Sequence, residues 1–205
     1  MKKILFTILL IITNINSSTE IKTTILKTNN TNTRLNITNL DQSLLSYAIF
    51  LETNRERAKY SIPPLSYMPK LSNVALYHSK EMVKNNYLGH NDKNGNGFSK
   101  RMRMHNLPKT RLSENCALSF GIEYDSKCKI RFNGSGNFKK NGKQIPYRTY
   151  RSAAKNIVSN LMNSAGHRKN ILDKKVNKVG VGVVFYNKSS FNNILTIKTT
   201  QIFSK

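Results

Sequence analysis

The sequence predicts an α+β fold in which the helices come before the strands, and three observations indicate it. The chain has 205 residues, of which 38% are hydrophobic, enough for the core of one modest domain. Apolar stripes with helical spacing run through residues 41–60, 68–86 and 152–164. Two segments rich in β-branched residues follow, at 178–186 and 193–203. Helices followed by strands indicate a layered α+β domain whose two terminal strands pair antiparallel.

The first two helices are bounded by recognisable end signals. Asp41 stands at the N-cap position of the first helix, which ends before the prolines of "SIPPL". Pro69 falls in the first turn of the second helix. His78 lies on the apolar stripe of that helix, so we expect it to be partly buried and hydrogen-bonded rather than a ligand.

The N-terminus predicts export. Met1 is followed by two lysines and by the apolar run 4–12, which is too short to span a bilayer; Ser17 and Ser18 come next. This pattern indicates a signal peptide over 1–18 and a secreted protein, whether extracellular, periplasmic or on the cell surface. The alternative is a buried N-terminal strand, but nothing after it pairs as a hairpin. The polar, Thr/Asn-rich segment 19–39 predicts a disordered linker before a domain over 40–205.

Two cysteines become interpretable once export is assumed. Cys116 and Cys128 are the only cysteines, and an oxidising compartment favours a disulfide between them. Closing this loop would stabilise the fold by about 3 kcal/mol in the chain-entropy model. The alternative is two free thiols in a core.

A strongly basic segment lies within a Gly-, Asn- and Lys-rich insertion at about 120–150, which includes a predicted small hairpin. The formal net charge of the chain is +24, and no acidic residue occurs from 126 to 172. The predicted basic surface consists of Lys139, Lys140, Lys143, Arg148 and Arg151, with aromatic residues between them. Such a surface suits an anionic polymer or an anionic membrane surface, whereas an exported protein is not expected to meet nucleic acid. The alternative is a solvated insertion in a chain that is generally rich in Lys, Asn and Ile.

Three motifs in order carry a family resemblance. They are "LGHNDKNGNGFSKRM", "SENCA", and "LMNSAGHRKNIL" followed by "VGVGVVF". Together they resemble the CAP superfamily (cysteine-rich secretory proteins, antigen 5 and plant pathogenesis-related 1), and most of all its bacterial SCP-domain subset. The resemblance implies an α-β-α sandwich, here with a central antiparallel sheet, and a large cleft. By motif it places His90, Glu114 and His167 in that cleft.

The motif around His167 also departs from the family pattern. Leu161 stands where the bacterial motif has Trp, Ala165 where it has Pro, and Ser164 where eukaryotic members have a second acid. We expect Gly166 to break the helix and turn the chain, so that His167 meets His90 and Glu114 across the cleft.

The predicted chemistry is open between binding and metal-dependent catalysis. Two imidazoles and one carboxylate suit Zn²⁺ or another divalent cation, with His90 and His167 as the candidate ligands. Alternatively, these histidines hydrogen-bond to Glu114 or to the backbone and hold the cleft loops together. No serine near them has a third orienting acid, and His105 lies in a basic loop where we expect it to be exposed.

The sequence therefore predicts a secreted binding or effector protein rather than an enzyme, whose cleft engages a lipid, glycan or protein partner. A metal-dependent hydrolase or peptidase that uses the same cleft is the first alternative. A polyanion-binding surface protein is the second.

Overall fold

The structure, a computed structural model, describes residues 30–107, 112–124, 131–132 and 137–205. The predicted signal peptide and Cys128 lie outside these residues. The elements, in chain order, are α1 (Gln42–Lys59), β1 (Ser66–Tyr67), α2 (Pro69–Lys84), α3 (Phe98–Met104), β2 (Leu112–Phe120), β3 (Arg131–Phe132), β4 (Phe138–Lys140), β5 (Lys143–Gln144), α4 (Tyr150–Asn163), α5 (Ala165–Ile171), β6 (Lys178–Lys188), a 3-10 turn (Ser189–Phe191) and β7 (Ile194–Ser204).

The central sheet has four strands in the order β1-β6-β7-β2. The two long strands β6 and β7 pair antiparallel, as predicted, and β2 pairs antiparallel with β7. The short strand β1 pairs parallel with β6, with Ser66 opposite Lys178, so the sheet is mixed and not purely antiparallel. The long connection between β1 and β6, which contains several helices, is what permits parallel pairing.

Helices cover both faces of this sheet, which confirms the α-β-α sandwich. Side chains alternate along a strand, so every second side chain of β6 points into the core formed with α1 and α4. These are Val179, Val181 and Val183. The glycines between them, Gly180 and Gly182, face α2, where a side chain at either position would overlap the backbone of that helix. The "VGVG" segment therefore lets α2 lie directly against the sheet.

The helix break before His167 lies at Ser164 and not at Gly166. Ser164 has extended backbone angles (φ −94°, ψ 122°) and separates α4 from α5. Gly166 lies inside α5, its φ is not positive, and an added Cβ would meet nothing within 4 Å. The expectation that Gly166 turns the chain is therefore wrong, because the non-helical residue is a serine two positions earlier.

Residues 30–39 pack against the domain, although the sequence predicted a linker there. Leu35 is buried, and its N–H donates to the carbonyl of Arg148 at 2.8 Å. Arg34 forms an isolated antiparallel bridge with Thr149 at the start of α4. The buried Leu35 and backbone hydrogen bonds to the start of α4 anchor this segment, so residues before Leu40 belong to the packed domain.

The predicted hairpin within the insertion is a small three-stranded sheet in the order β3-β4-β5. Phe138 in β4 packs with Ile122, Ile145 and Ile194 in a small separate core. Within the described part of the chain, no helix is both long enough and apolar enough to cross a membrane.

Candidate functional site

A buried carboxylate, Glu114, lies at the centre of the candidate site. Glu114 is near the start of β2, and its side chain is 1% exposed. Arg101 of α3 donates from Nη2 to both carboxylate oxygens, at 2.9 Å and 2.7 Å. Its Nη1 also donates to the carbonyl of His90 at 2.9 Å. This arginine therefore joins α3, the loop that carries His90, and the sheet.

His90 is the exposed partner of Glu114. Its Nδ1 lies 3.0 Å from Glu114 Oε1, and its side chain is 52% exposed. An ionised carboxylate can only accept hydrogen bonds, so Nδ1 of His90 carries a hydrogen and donates the hydrogen bond to Glu114. This hydrogen bond raises the pKa of His90 above its usual value, while partial burial opposes the increase. The ring is held by Glu114 at one nitrogen.

His78, from α2, lies behind Glu114 and is completely buried. Its Nε2 donates to the carbonyl of Gly89 at 2.8 Å and lies 3.9 Å from Glu114 Oε1. Its Nδ1 is buried and has no hydrogen-bond partner among the described residues. Burial lowers the pKa of His78, although the Glu114 carboxylate opposes the decrease. The prediction of a hydrogen-bonded histidine is correct, but the residue is more deeply buried than we expected.

Cys116 contributes a thiol to the same cluster. It follows Glu114 by two positions on β2 and therefore points to the same face of the sheet. Its Sγ lies 3.8 Å from Glu114 Oε1 and 3.8 Å from His90 Nδ1. Burial raises the pKa of the thiol, so the protonated form persists at neutral pH.

The predicted disulfide is not formed in this structure. Cys116 is a free, buried cysteine, and Cys128 lies outside the described residues. The physical reason is the alternation of side chains along β2, which turns the Cys116 thiol towards Glu114 and the interior.

His167 lies on the short helix α5, and its side chain is half-buried. Burial lowers the pKa of His167, and the positive charge of His90 lowers it further. Asparagine side chains fix α5 against β2. Asn115 donates to the carbonyl of His167 at 3.3 Å, and Asn170 donates to the carbonyl of Glu114 at 3.2 Å. The structure thus bonds His90 to Glu114 and places His167 on the neighbouring helix.

Arg101 and Cys116 are site residues that the sequence interpretation missed. Arg101 lies in the "FSKRM" part of the first motif. Its selection was possible from the sequence, because a buried carboxylate such as Glu114 needs a cation or several hydrogen-bond donors nearby. Among the described residues, His78, Glu114 and Cys116 form a group of metal-ligand type, with one atom from each within 4.8 Å of the others. Two of these three groups are already engaged, however, because Glu114 accepts from Arg101 and the thiol retains its proton.

Only some residues of the predicted basic surface are exposed to solvent. Lys140, Lys143 and Arg151 are exposed, and Lys139 is half-buried. Arg148 is half-buried and donates from Nη2 to the carbonyl of Tyr124 at 3.3 Å. His105 is exposed, as expected, and its ring contacts Tyr77 with centroids 5.5 Å apart.

The sandwich and the histidine–glutamate site define a class of protein, and comparison with known families agrees. The model of the cysteine-rich secretory protein (CAP) family matches residues 50–202. Since this match covers well over half of the chain, the protein belongs to the CAP family.

Three relatives are consistent with this assignment. The chain is 30% identical over 132 residues to the Bacillus subtilis protein named "Uncharacterized protein YkwD". This alignment covers 64% of this chain and 39% of that protein. An extracellular SCP-domain protein from Bacillus anthracis superposes with a TM-score of 0.54 and 25% identity, over 78% of this chain and 40% of that one. An outer surface protein from Borrelia burgdorferi shares the fold (TM-score 0.51, 16% identity), over 81% and 96% of the two chains. The chain thus spans about two fifths of the curated relative that it matches.

Proposed function

We propose that this protein is an extracellular or cell-surface binding protein whose cleft, at His90, Glu114 and His167, engages a lipid, glycan or protein partner. The observation that carries the proposal is the saturation of Glu114, which accepts from both Arg101 and His90. A carboxylate held in this way organises the floor of a site and has few lone pairs left for a metal. Export through a signal peptide over 1–18 is part of the proposal.

The location outside the cell is supported by the printed descriptions of similar structures. The Bacillus anthracis protein is described as extracellular and the Borrelia burgdorferi protein as an outer surface protein. The high positive charge of this chain, +24, suits a surface rich in anionic polymers.

The chemistry of the cluster favours binding over covalent catalysis. The Cys116 thiol is buried and protonated, which makes it a poor nucleophile. The half-exposed ring of His90 and the partly buried ring of His167 remain as the groups that a partner can contact. We expect them to provide hydrogen bonds to a polar part of the partner.

A divalent cation is the second candidate function, favoured by the tautomer of His90. Because Nδ1–H is donated to Glu114, the lone pair of Nε2 is free when the ring is neutral, an arrangement typical of metal-ligating histidines. His167 has a lowered pKa and is therefore neutral at pH 7. We propose that these two imidazoles would hold a cation whose remaining ligands are water, and bound Zn²⁺ would supply a water of lowered pKa for hydrolysis.

A polyanion-binding surface is the third candidate. It is supported by the exposed side chains of Lys143 and Arg151 and by the net charge. Binding of heparin should then weaken steeply with salt, because the gain is electrostatic.

The experiment that tests the main proposal compares the full chain with His90→Ala and His167→Ala on lipid and glycan arrays, with His105→Ala as a matched exposed control. The cleft proposal predicts that both cleft variants lose the bound partner while His105→Ala keeps it. Equal binding by all four proteins would contradict it. Zinc-dependent turnover of peptide or ester substrates that both cleft variants lack would support the hydrolase instead.

A further inference from the structure

A second cavity lies away from the histidine cleft, at the opposite end of β2. It has a volume of about 230 Å³ and opens between the end of β2 and one side of α4. Phe120 lies six positions after Glu114 along the strand, a distance of roughly 20 Å at about 3.3 Å per residue. The side chains that matter for its chemistry are Ser119, Phe120, Tyr124, Arg148, Asn156 and Asn160.

The cation of this cavity, Arg148, is poorly compensated within the described part of the chain. Its Nε is buried without a hydrogen-bond partner, and its one side-chain hydrogen bond there is the 3.3 Å contact from Nη2 to the carbonyl of Tyr124. The described acid whose charge acts on Arg148 is Glu123, which accepts from Arg34 at 2.9 Å. Burial lowers the pKa of Arg148, with the charge of Glu123 opposing the decrease. A half-buried guanidinium with few partners favours an anionic ligand such as a carboxylate.

The wall on α4 offers side-chain amides. Asn156 and Asn160 are one helical turn apart and so lie on the same face. Asn156 Oδ1 accepts from the hydroxyl of Ser119 at 2.7 Å, which directs its Nδ2 as a donor. Asn160 is exposed, and its amide makes no hydrogen bond to the described residues. These amides suit the hydroxyl groups of a ligand.

The opposite wall is aromatic. Phe120 meets Tyr124 edge to face, with ring centroids 6.1 Å apart, and stacks on Phe191 at 6.2 Å. Phe191 is 49% exposed at the turn between β6 and β7, and Lys188 Nζ lies 5.5 Å from its ring centroid. An aromatic platform beside amides and a half-buried cation is typical of a site for a ring with one apolar face and several polar groups.

The geometry points to a binding site for one acidic sugar unit, a hydroxyl-bearing ring with a carboxylate, as in a uronic acid. The carboxylate pairs with Arg148, the hydroxyls pair with Asn156 and Asn160, and the ring lies against Phe120 and Tyr124. The cavity is smaller than the range of roughly 300–1,000 Å³ typical of drug-sized ligands, so it takes a single ring. This site is separate from the cleft of the proposed function and does not depend on it.

The test is an NMR titration of the full ¹⁵N-labelled chain with D-glucuronate, D-glucose and acetate. We expect saturable shifts from glucuronate at 118–120 and at the Asn156 and Asn160 amides, and at least tenfold weaker binding of glucose and of acetate. Arg148→Gln should weaken glucuronate binding at least tenfold. Asn160→Asp should weaken it several-fold by repulsion, whereas Ser159→Asp, an exposed neighbour on α4 with the same charge change, should leave it unaltered.

Four results would overturn the site: no saturable binding, glucose binding as tightly as glucuronate, shifts centred on His90, or equal losses in Asn160→Asp and Ser159→Asp. The last of these would mean that bulk charge alone attracts the ligand. If Arg148→Gln fails to fold, the asparagine and serine pair still decides the question, because both positions lie on the surface of α4.

Discussion

Arg101 and Glu114 form a buried ion pair in which one guanidinium nitrogen contacts both carboxylate oxygens, at 2.9 Å and 2.7 Å. The side chains are 2% and 1% exposed, so neither charge is compensated by water. The pair joins α3 to β2 and fixes the carboxylate that orients His90. The geometry of the cleft therefore depends on an arginine that is itself too buried to contact a bound ligand.

Replacing Arg101 with methionine should destabilise the protein strongly. The change leaves Glu114 buried with His90 as its main remaining partner, and an uncompensated buried charge costs about 3–5 kcal/mol. Urea unfolding of the full chain measures the free energy. Arg103→Met, at an exposed position of the same helix, should cost under about 0.5 kcal/mol, and a similar loss in both variants would refute the importance of the ion pair.

The stability contributed by two histidines should depend on pH with opposite signs. The pKa of His78 is lowered, so its neutral form is the folded form, and its contribution is lost as the pH falls below about 6.5, where the unfolded chain takes up a proton. The pKa of His90 is raised, so its contribution is complete below about pH 6.5 and is lost as the pH rises through its higher folded value.

Unfolding free energies of wild type, His78→Gln and His90→Gln between pH 5 and 8 check this. The difference between wild type and His78→Gln should narrow as the pH falls, whereas that between wild type and His90→Gln should widen. Parallel curves for the three proteins would mean that neither ring is coupled to Glu114 in the way described.

Substitution of two glycines by alanine should distinguish a glycine that permits close packing from a glycine that would be needed to turn the chain. Gly182→Ala places a methyl group against the backbone of α2, so it should destabilise the protein by at least about 1–3 kcal/mol. Gly166→Ala lies in a helix with open space around it and should be neutral or stabilising by up to about 1 kcal/mol. Thermal unfolding distinguishes these cases, and a large loss in Gly166→Ala would restore the role in turning that the sequence suggested.

Cys116 should resist alkylation in the native protein. Its thiol is buried, and its raised pKa leaves little thiolate at pH 8. Treatment with iodoacetamide followed by peptide mass spectrometry should find Cys116 unmodified until denaturant is added. Rapid native modification would show that the strand opens, and modification only after reduction would show a disulfide.

The parts of the fold that follow from local patterns were predictable from the sequence. The stripe and the N-cap of α1 are local signals, and the structure has Asp41 accepting from the N–H of Leu44 at 2.9 Å. The parallel strand β1 was not predictable, because two residues carry no periodicity and their pairing with β6 is set by distant packing. The segment "SENCA" was not recognised as part of a nine-residue strand, because its pairing with β7 is also set by distant packing.

The site was predictable as far as the motifs extend. His90 and Glu114 were selected by motif, and they are hydrogen-bonded. The burial of Arg101 and the direction of the Cys116 thiol depend on which face of β2 points inward, and the flanking sequence does not reveal this. Ser164 rather than Gly166 breaks the helix, because a serine can adopt the extended backbone required there.

A crystal structure of the protein soaked in Zn²⁺ tests the arrangement around Glu114 most directly. We expect Glu114 to remain bonded to Arg101 and His90, and any bound zinc to contact His90 Nε2 and His167 at about 2.0–2.1 Å without contacting the carboxylate. A structure in which Glu114 leaves Arg101 to ligate the metal, or in which the two imidazoles are too far apart to share one ion, would contradict it.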